Sequence, residues 1–154
     1  MGALSAWMPV SFQGDSMLPT LVAGDRLLVK RTQTTTEHKR GDIVFFKDPR
    51  GLSDTLIIKR IIGLPGESIR ASRTVYINGE LLEEPYLQDD AEQFNQSARG
   101  VNRIRDASYF VMGDNRLAST DSRDFGVINA SEILGTAILR YLPIIRFAKL
   151  NRHH

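Results

Sequence analysis

The chain has 154 residues, 42% apolar and 25% charged, with 20 Lys plus Arg against 18 Asp plus Glu and a formal net charge of +2. That is the composition of one globular domain able to bury its own core, and it excludes disordered and collagen-like classes. There is no cysteine, which removes disulfide frameworks, thiol catalysis and cysteine-based zinc sites, and the basic residues are scattered, so nucleic acid is not an implied partner.

The first ten residues, MGALSAWMPV, are apolar but short; they read either as the start of a first strand or as the remainder of a membrane anchor. Segments 7–13 (WMPVSFQ) and 26–30 (RLLVK) are apolar and flank GDSMLPTLVAGD. Residues 31–40 are polar and predict a loop or mobile hairpin tip, and 42–47 (DIVFFK) predict a strand entered through Gly41. Residues 55–62 (TLIIKRII) are β-branched and end at GLPGE, whose Pro-Gly pair marks a turn. SIRA and TVYIN follow as short strands, and Asn78-Gly79 is a strong hairpin signal ahead of ELL. From 83 to 107 the sequence is polar and irregular and reads as an insertion or long surface loop. Strand patterns resume at 108–113 and 136–142, with ASEIL at 130–134 suited to one helical turn capped by Asn129 or Ser131. Helical periodicity is weak elsewhere. The pattern predicts a mainly β fold of coiled antiparallel sheets with few short helices, spanning 1–154 as a single domain.

No window approaches the ~20 apolar residues that cross a bilayer. TLIIKRIIGL is broken by Lys59 and Arg60, and AILRYLPIIRFAKL by Arg140, Pro143 and Arg146. The three histidines, His38, His153 and His154, form no metal-binding spacing, and a Ser-His-Asp triad would have to use His38 from the polar run.

Three segments carry chemistry. In Gly14-Asp15-Ser16-Met17-Leu18-Pro19 a serine follows a probable strand, and backbone N–H groups of such a turn can stabilise an oxyanion; the plain reading is a strand-ending turn. In Ile57-Ile58-Lys59-Arg60-Ile61-Ile62 the two cations point to opposite faces of a strand, so one of them faces an interior or a cleft. A desolvated lysine loses its proton more readily and can act as a general base; a lysine snorkelling from an edge strand is the plain alternative. The third, 113–123 (GDNRLASTDSR), is dense in short polar groups, and Ser119 there could orient a neutral amine while Asp121 and Arg123 hold one another.

Together these segments resemble the type I signal peptidase family of serine peptidases with a Ser-Lys dyad. The resemblance rests on GDSMLPTL at 14–21, GDIVFF at 41–46, IKRIIGLPGE at 58–67, VYINGELLEEPYL at 75–87 and FVMGDNRLASTDSRDFG at 110–126, in that order and spacing. It implies Ser16 as nucleophile and Lys59 as general base, with Ser119 hydrogen-bonded to the lysine amine and Asp121, Arg123 and Arg60 in support. It also implies that Val10, Ser11, Phe12 and Gln13, with Leu56, Ile57 and Ile58, flank a signal peptide bound as an added extended strand. No metal or organic cofactor is implied.

The chain departs from the family pattern in two places. Some members have a serine two places before the nucleophile; here Gly14 stands there, as in shorter Gram-positive members, so an oxyanion hole falls to backbone N–H groups, most simply that of Ser16. Members also carry a transmembrane helix before the serine motif, and none is visible in this chain. The implied activity is cleavage of N-terminal signal peptides from exported preproteins after a small residue, at the outer face of the bacterial cytoplasmic membrane and in contact with its surface. The rivals are a LexA-type self-cleaving Ser-Lys peptidase and a non-catalytic β-domain that binds extended peptides.

Overall fold

The computed structural model describes residues 5–87 and 98–150. They form β1 (Trp7–Ser11), β2 (Arg26–Arg31), β3 (Ile43–Lys47), β4 (Leu56–Gly63), β5 (Ile69–Ala71), β6 (Val75–Ile77), β7 (Glu80–Leu81), β8 (Arg99–Val101), β9 (Ser108–Met112), α1 (Ser122–Phe125), β10 (Ile128–Asn129), β11 (Ile133–Leu142) and β12 (Ala148–Lys149). One sheet runs β1-β2-β11-β3-β4-β9-β10, with β12 on β11; a smaller one runs β7-β6-β5-β8. Every pairing is antiparallel, as the sequence pattern predicts.

The continuous apolar run of β3 follows from its position between two cores. Ile43 and Phe45 pack into one cluster with Met17, Leu21, Leu27, Val29 and Ile58. Val44 and Phe46 pack on the opposite face with Ile61, Tyr109 and Val111. A half-solvated strand would alternate; one covered on both faces has no place for polar residues. Phe110 and Met112 of β9, with Ile62, build a third cluster against Ile69, Ala71 and Val75 of the small sheet. Both flanks of the Lys59-Arg60 pair are thereby fixed in packed apolar layers.

The Asn78-Gly79 hairpin is present: both residues have positive φ, and Ile77 pairs with Glu80 across the turn. The turn over 130–134 is a short 3-10 segment, Ala130–Glu132, capped by Asn129. Helix α1 and strands β10 and β12 have no counterpart in the sequence reading, being too short to show a period. The stretch 83–107 is corrected in part. Residues 88–97 lie outside the described residues, but Arg99–Val101 pair with β5, and Glu84 and Tyr86 pack under the site loop rather than in solvent. The run 31–40 is a loop, though its far end is not solvated: His38 is buried edge-on against Tyr109.

Candidate active site

The nucleophile candidate sits in the connection from β1 to β2. Gly14 has φ +98°, a left-handed conformation that favours glycine, and it lets the chain leave the strand sharply. Met17 and Leu21 follow, both fully buried, and they pin the turn into the first core. Within it the Leu18 N–H donates to the Asp15 carbonyl at 3.1 Å and the Leu21 N–H to the Met17 carbonyl at 3.0 Å. Ser16 is left half-buried with its hydroxyl turned toward β4. Its main-chain N–H makes no hydrogen bond among the described residues, so this donor, with the exposed turn at Gly14, is available to an oxyanion.

Lys59 meets it from the middle of β4. Its Nζ lies 2.8 Å from Ser16 Oγ and donates to the Ile58 carbonyl at 3.0 Å. The side chain is buried, and burial lowers its pKa to about 8, against the pull of the Asp121 and Asp114 carboxylates, which favour the ammonium. The sequence required one of Lys59 and Arg60 to face inward; both do, because the large sheet is covered on both faces here. Arg60 forms a two-pronged ion pair with Asp114 at 2.9 and 2.7 Å, donates to the Gly41 carbonyl and stacks 3.8 Å from the Tyr86 ring centroid.

The loop 113–123 closes over Ser16 and Lys59 from the end of β9. The Asn115 N–H donates to the Ser16 carbonyl at 3.0 Å and its side-chain amide to the Asp15 carbonyl at 3.1 Å. Asp114 also accepts from the Thr20 hydroxyl at 2.5 Å, tying the end of β9 to the turn that carries Ser16. Asp121 caps α1, accepts from the Gly113 N–H at 3.0 Å and pairs with Arg123 through both oxygens at 2.9 Å. Its burial favours the neutral acid, yet the Arg123 guanidinium outweighs this and holds the carboxyl below its ordinary range. Arg116 forms a buried two-pronged pair with Glu84 and donates to the Gly113 carbonyl.

Ser119 differs from the expectation. Its Oγ is buried near enough to Asp121 to favour the carboxylate, but among the described residues it meets no partner at hydrogen-bonding geometry, so the bond to Lys59 is not made. The amine is instead taken by Ser16 and by the Ile58 carbonyl. Ser119 does press on the site through Gly113: a Cβ at 113 would fall 2.5 Å from the Ser16 carbonyl oxygen and closer still to Ser119 Oγ.

Of the expected substrate-flanking residues, Val10 and Ser11 lie on β1 and Leu56, Ile57 and Ile58 on β4, strands whose outer edges are unpaired here among the described residues, while Phe12 and Gln13 follow β1. Among the described residues β1 pairs with β2 alone, and β4 meets β9 from Arg60 onward, so Leu56–Lys59 have no pairing partner on that side. Met8 and Val10 pack against the cluster that holds Ile58, so both edges rest on one apolar core. Ser11 and Gln13 are exposed, Val10 and Ile57 half-buried, and Leu56 is 38% exposed. Phe12 is a core residue at 2% exposure and supports the edge from beneath.

The sequence reading did not single out Asp114, Thr20, Glu84, Tyr86 or Arg116. Asp114 had a signal, since a buried arginine requires a carboxylate and Asp114 stands in the same motif. Glu84 and Tyr86 had none, because they sit in a stretch whose polarity matches any surface loop.

A serine hydroxyl held against a buried lysine whose proton is loosened is the constellation of a serine hydrolase that works without histidine. Residues 2–142 match the family model described as signal peptidase, peptidase S26. Signal peptidase I T and signal peptidase I U of Bacillus subtilis are 41% and 38% identical to the chain over 144 and 145 residues. These alignments cover 88% and 89% of this chain and 74% and 76% of those proteins. The crystal structure of a signal peptidase I from Enterococcus faecalis superposes with a TM-score of 0.56 at 33% identity, covering 66% of this chain and 97% of the other. The chain belongs to the signal peptidase I family of serine peptidases. Its activity is that of the family, the cleavage of signal peptides.

Proposed function

We propose that Ser16 and Lys59 form the catalytic dyad and that the enzyme cleaves exported preproteins after a small residue. The observation that carries this reading is the 2.8 Å contact between Ser16 Oγ and a buried Lys59 Nζ. The neutral amine takes the Ser16 proton as Oγ bonds to the scissile carbonyl carbon. The carbonyl oxygen becomes the oxyanion and is met by the free Ser16 N–H. The ammonium then gives its proton to the leaving nitrogen, the C–N bond breaks, and the mature chain departs. A water deprotonated by Lys59 opens the acyl-enzyme and restores Ser16.

The substrate enters as an extended strand between the β1 edge and Leu56–Lys59, where main-chain pairing is unused. The site works at the outer face of the bacterial cytoplasmic membrane. Among the described residues no helix is long and apolar enough to cross a bilayer. Surface contact is supported by the short 3-10 turn Ile144–Arg146 after β11, where Ile145 is 94% exposed beside Ile144, Phe147 and the cations Arg146 and Lys149.

The test is cleavage of a preprotein in detergent, followed by mass spectrometry. Ser16→Ala and Lys59→Ala should each abolish cleavage, and the double variant should be no worse than either. Strong residual activity in Lys59→Ala sinks the dyad.

A further inference from the structure

A cleft of about 720 Å³ opens beyond the far end of the two unpaired edges. Met8 of β1 and Leu56 of β4 both line it, joined by Ala130 of the 3-10 turn, Ile133 and Leu134 from the start of β11, and Thr34 of the exposed loop after β2. Its volume is in the range of sites that hold an organic group. Nothing in the dyad chemistry uses it.

Successive antiparallel pairings from β1 through β2, β11 and β3 to β4 make β1 and β4 run in the same sense. Both run toward the dyad: Ser16 lies beyond the end of β1, and Lys59 lies three residues after Leu56. At ~3.3 Å per residue, an extended peptide with its scissile carbonyl at Ser16 reaches Leu56 after ~10 Å, or about three residues. The floor beneath that path is continuous and apolar, since Met8 and Val10 pack against the cluster containing Ile58. The cleft is where this floor widens.

We infer that this cleft is a second recognition site, which takes apolar side chains of the signal peptide lying four or more residues before the scissile bond. This rests on the proposed placement of the substrate between β1 and β4. It assigns a binding role to Ala130, Ile133, Leu134 and Thr34, residues remote from Ser16 and Lys59. The occupant is mainly apolar because Met8, Leu56, Ile133 and Leu134 offer aliphatic surface, while the rest of the lining is small or uncharged polar residues with Arg31 the one charged side chain. It is a peptide because the cleft continues a groove with unused strand edges on both sides.

The experiment uses two synthetic peptides with the same residues around the scissile bond, one ending three residues upstream and one extended there by six leucines. The wild-type protein should cleave the long peptide with a KM at least about tenfold lower than the short one, at similar kcat. Ala130→Trp, which fills the cleft, and Leu134→Asp, which charges its wall, should remove that advantage and leave the short peptide unaffected. Thr34→Trp, in an exposed loop, gives the same readout without touching packed residues. An advantage that survives all three variants overturns the inference. So does a cleft variant that weakens binding to phosphatidylcholine–phosphatidylglycerol vesicles while leaving the long peptide unchanged, for then the cleft belongs to lipid. Fluorescence anisotropy of both peptides on Ser16→Ala protein measures the same difference as affinity. If neither peptide is cleaved by the wild type, the catalytic reading fails, while the anisotropy still decides the cleft.

Discussion

Raising the pH should switch the enzyme on through Lys59. With a pKa of about 8 in the folded protein, about 1% of the lysine is neutral at pH 6 and about half at pH 8. kcat/KM should therefore climb about fifty-fold between those pH values and level off above pH 9. A lysine at its ordinary ~10.4 would be neutral in about one molecule in 2,500 at pH 7, against about one in eleven here. Burial supplies this gain of roughly two hundredfold, and it opposes Asp121 and Asp114, which hold the proton on. Asp121→Asn removes the larger of those two pulls and keeps an amide able to cap α1. Its rate plateau should fall, because Asp121 also holds Gly113 and Arg123. The midpoint of its acid limb should nevertheless move to lower pH. The assay is a kcat/KM profile on a soluble peptide substrate from pH 5 to 10, with the midpoint read separately from the plateau. A flat profile, or a midpoint that stays put in Asp121→Asn, refutes the reasoning.

Gly113→Ala should lose most activity and about 1–3 kcal/mol of stability, measured by kcat and by urea unfolding, because the new methyl group collides with Ser119 and the Ser16 carbonyl oxygen. Arg116→Met should cost about 3–5 kcal/mol by leaving Glu84 buried without its partner, and Arg116→Met with Glu84→Met should recover much of the loss in Tm. Burial lowers the pKa of His38, with Asp42 opposing, so the unfolded chain takes up a proton that the folded one refuses. Stability should then fall as the pH drops below about 6.5, and urea titrations at two pH values should show a smaller fall in His38→Gln.

The strands were legible wherever a segment faces a core, because β-branched runs and the Asn78-Gly79 turn are local signals. The candidate pair was legible only in part: Lys59 within TLIIKRII and the turn at Ser16 each kept a plain local reading, and it was the resemblance across five motifs that joined them. The network around them was not. Arg60 with Asp114 joins residues 54 apart, and Arg116 with Glu84 joins residues 32 apart. The first follows from β9 lying beside β4 and the second from the stretch after β7 passing under the site loop, facts of topology that no local pattern carries. Ser119 shows the opposite limit. A hydroxyl at the right place in a motif does not fix its rotamer, and here it packs on Gly113 without bonding Lys59.

Two carboxylates, Asp121 and Asp114, act on Lys59, which at first sight defeats the purpose of the base proposed for it. At an effective dielectric of ~20, a bare carboxylate ~6 Å from the amine would stabilise the ammonium by about 3 kcal/mol, enough to raise its pKa by about two units. Each carboxylate is instead matched: Asp114 by Arg60 and Asp121 by Arg123, both through two-pronged pairs. A matched pair presents the lysine with a dipole, whose field falls off faster than that of a charge, and desolvation wins. Lys59 then stands as a buried cation whose bonds go to a hydroxyl and a carbonyl rather than to a carboxylate. Arg123→Gln tests this balance with a sign opposite to Asp121→Asn, for it strips the matching charge and leaves the Asp121 carboxylate bare. The Lys59 pKa should rise and the acid limb should move to higher pH, by as much as one to two units. The general loosening that any damage to the 113–123 loop produces would let water in and move both variants the same way. Opposite shifts in the two pH–rate profiles therefore support electrostatic matching, and parallel shifts reject it.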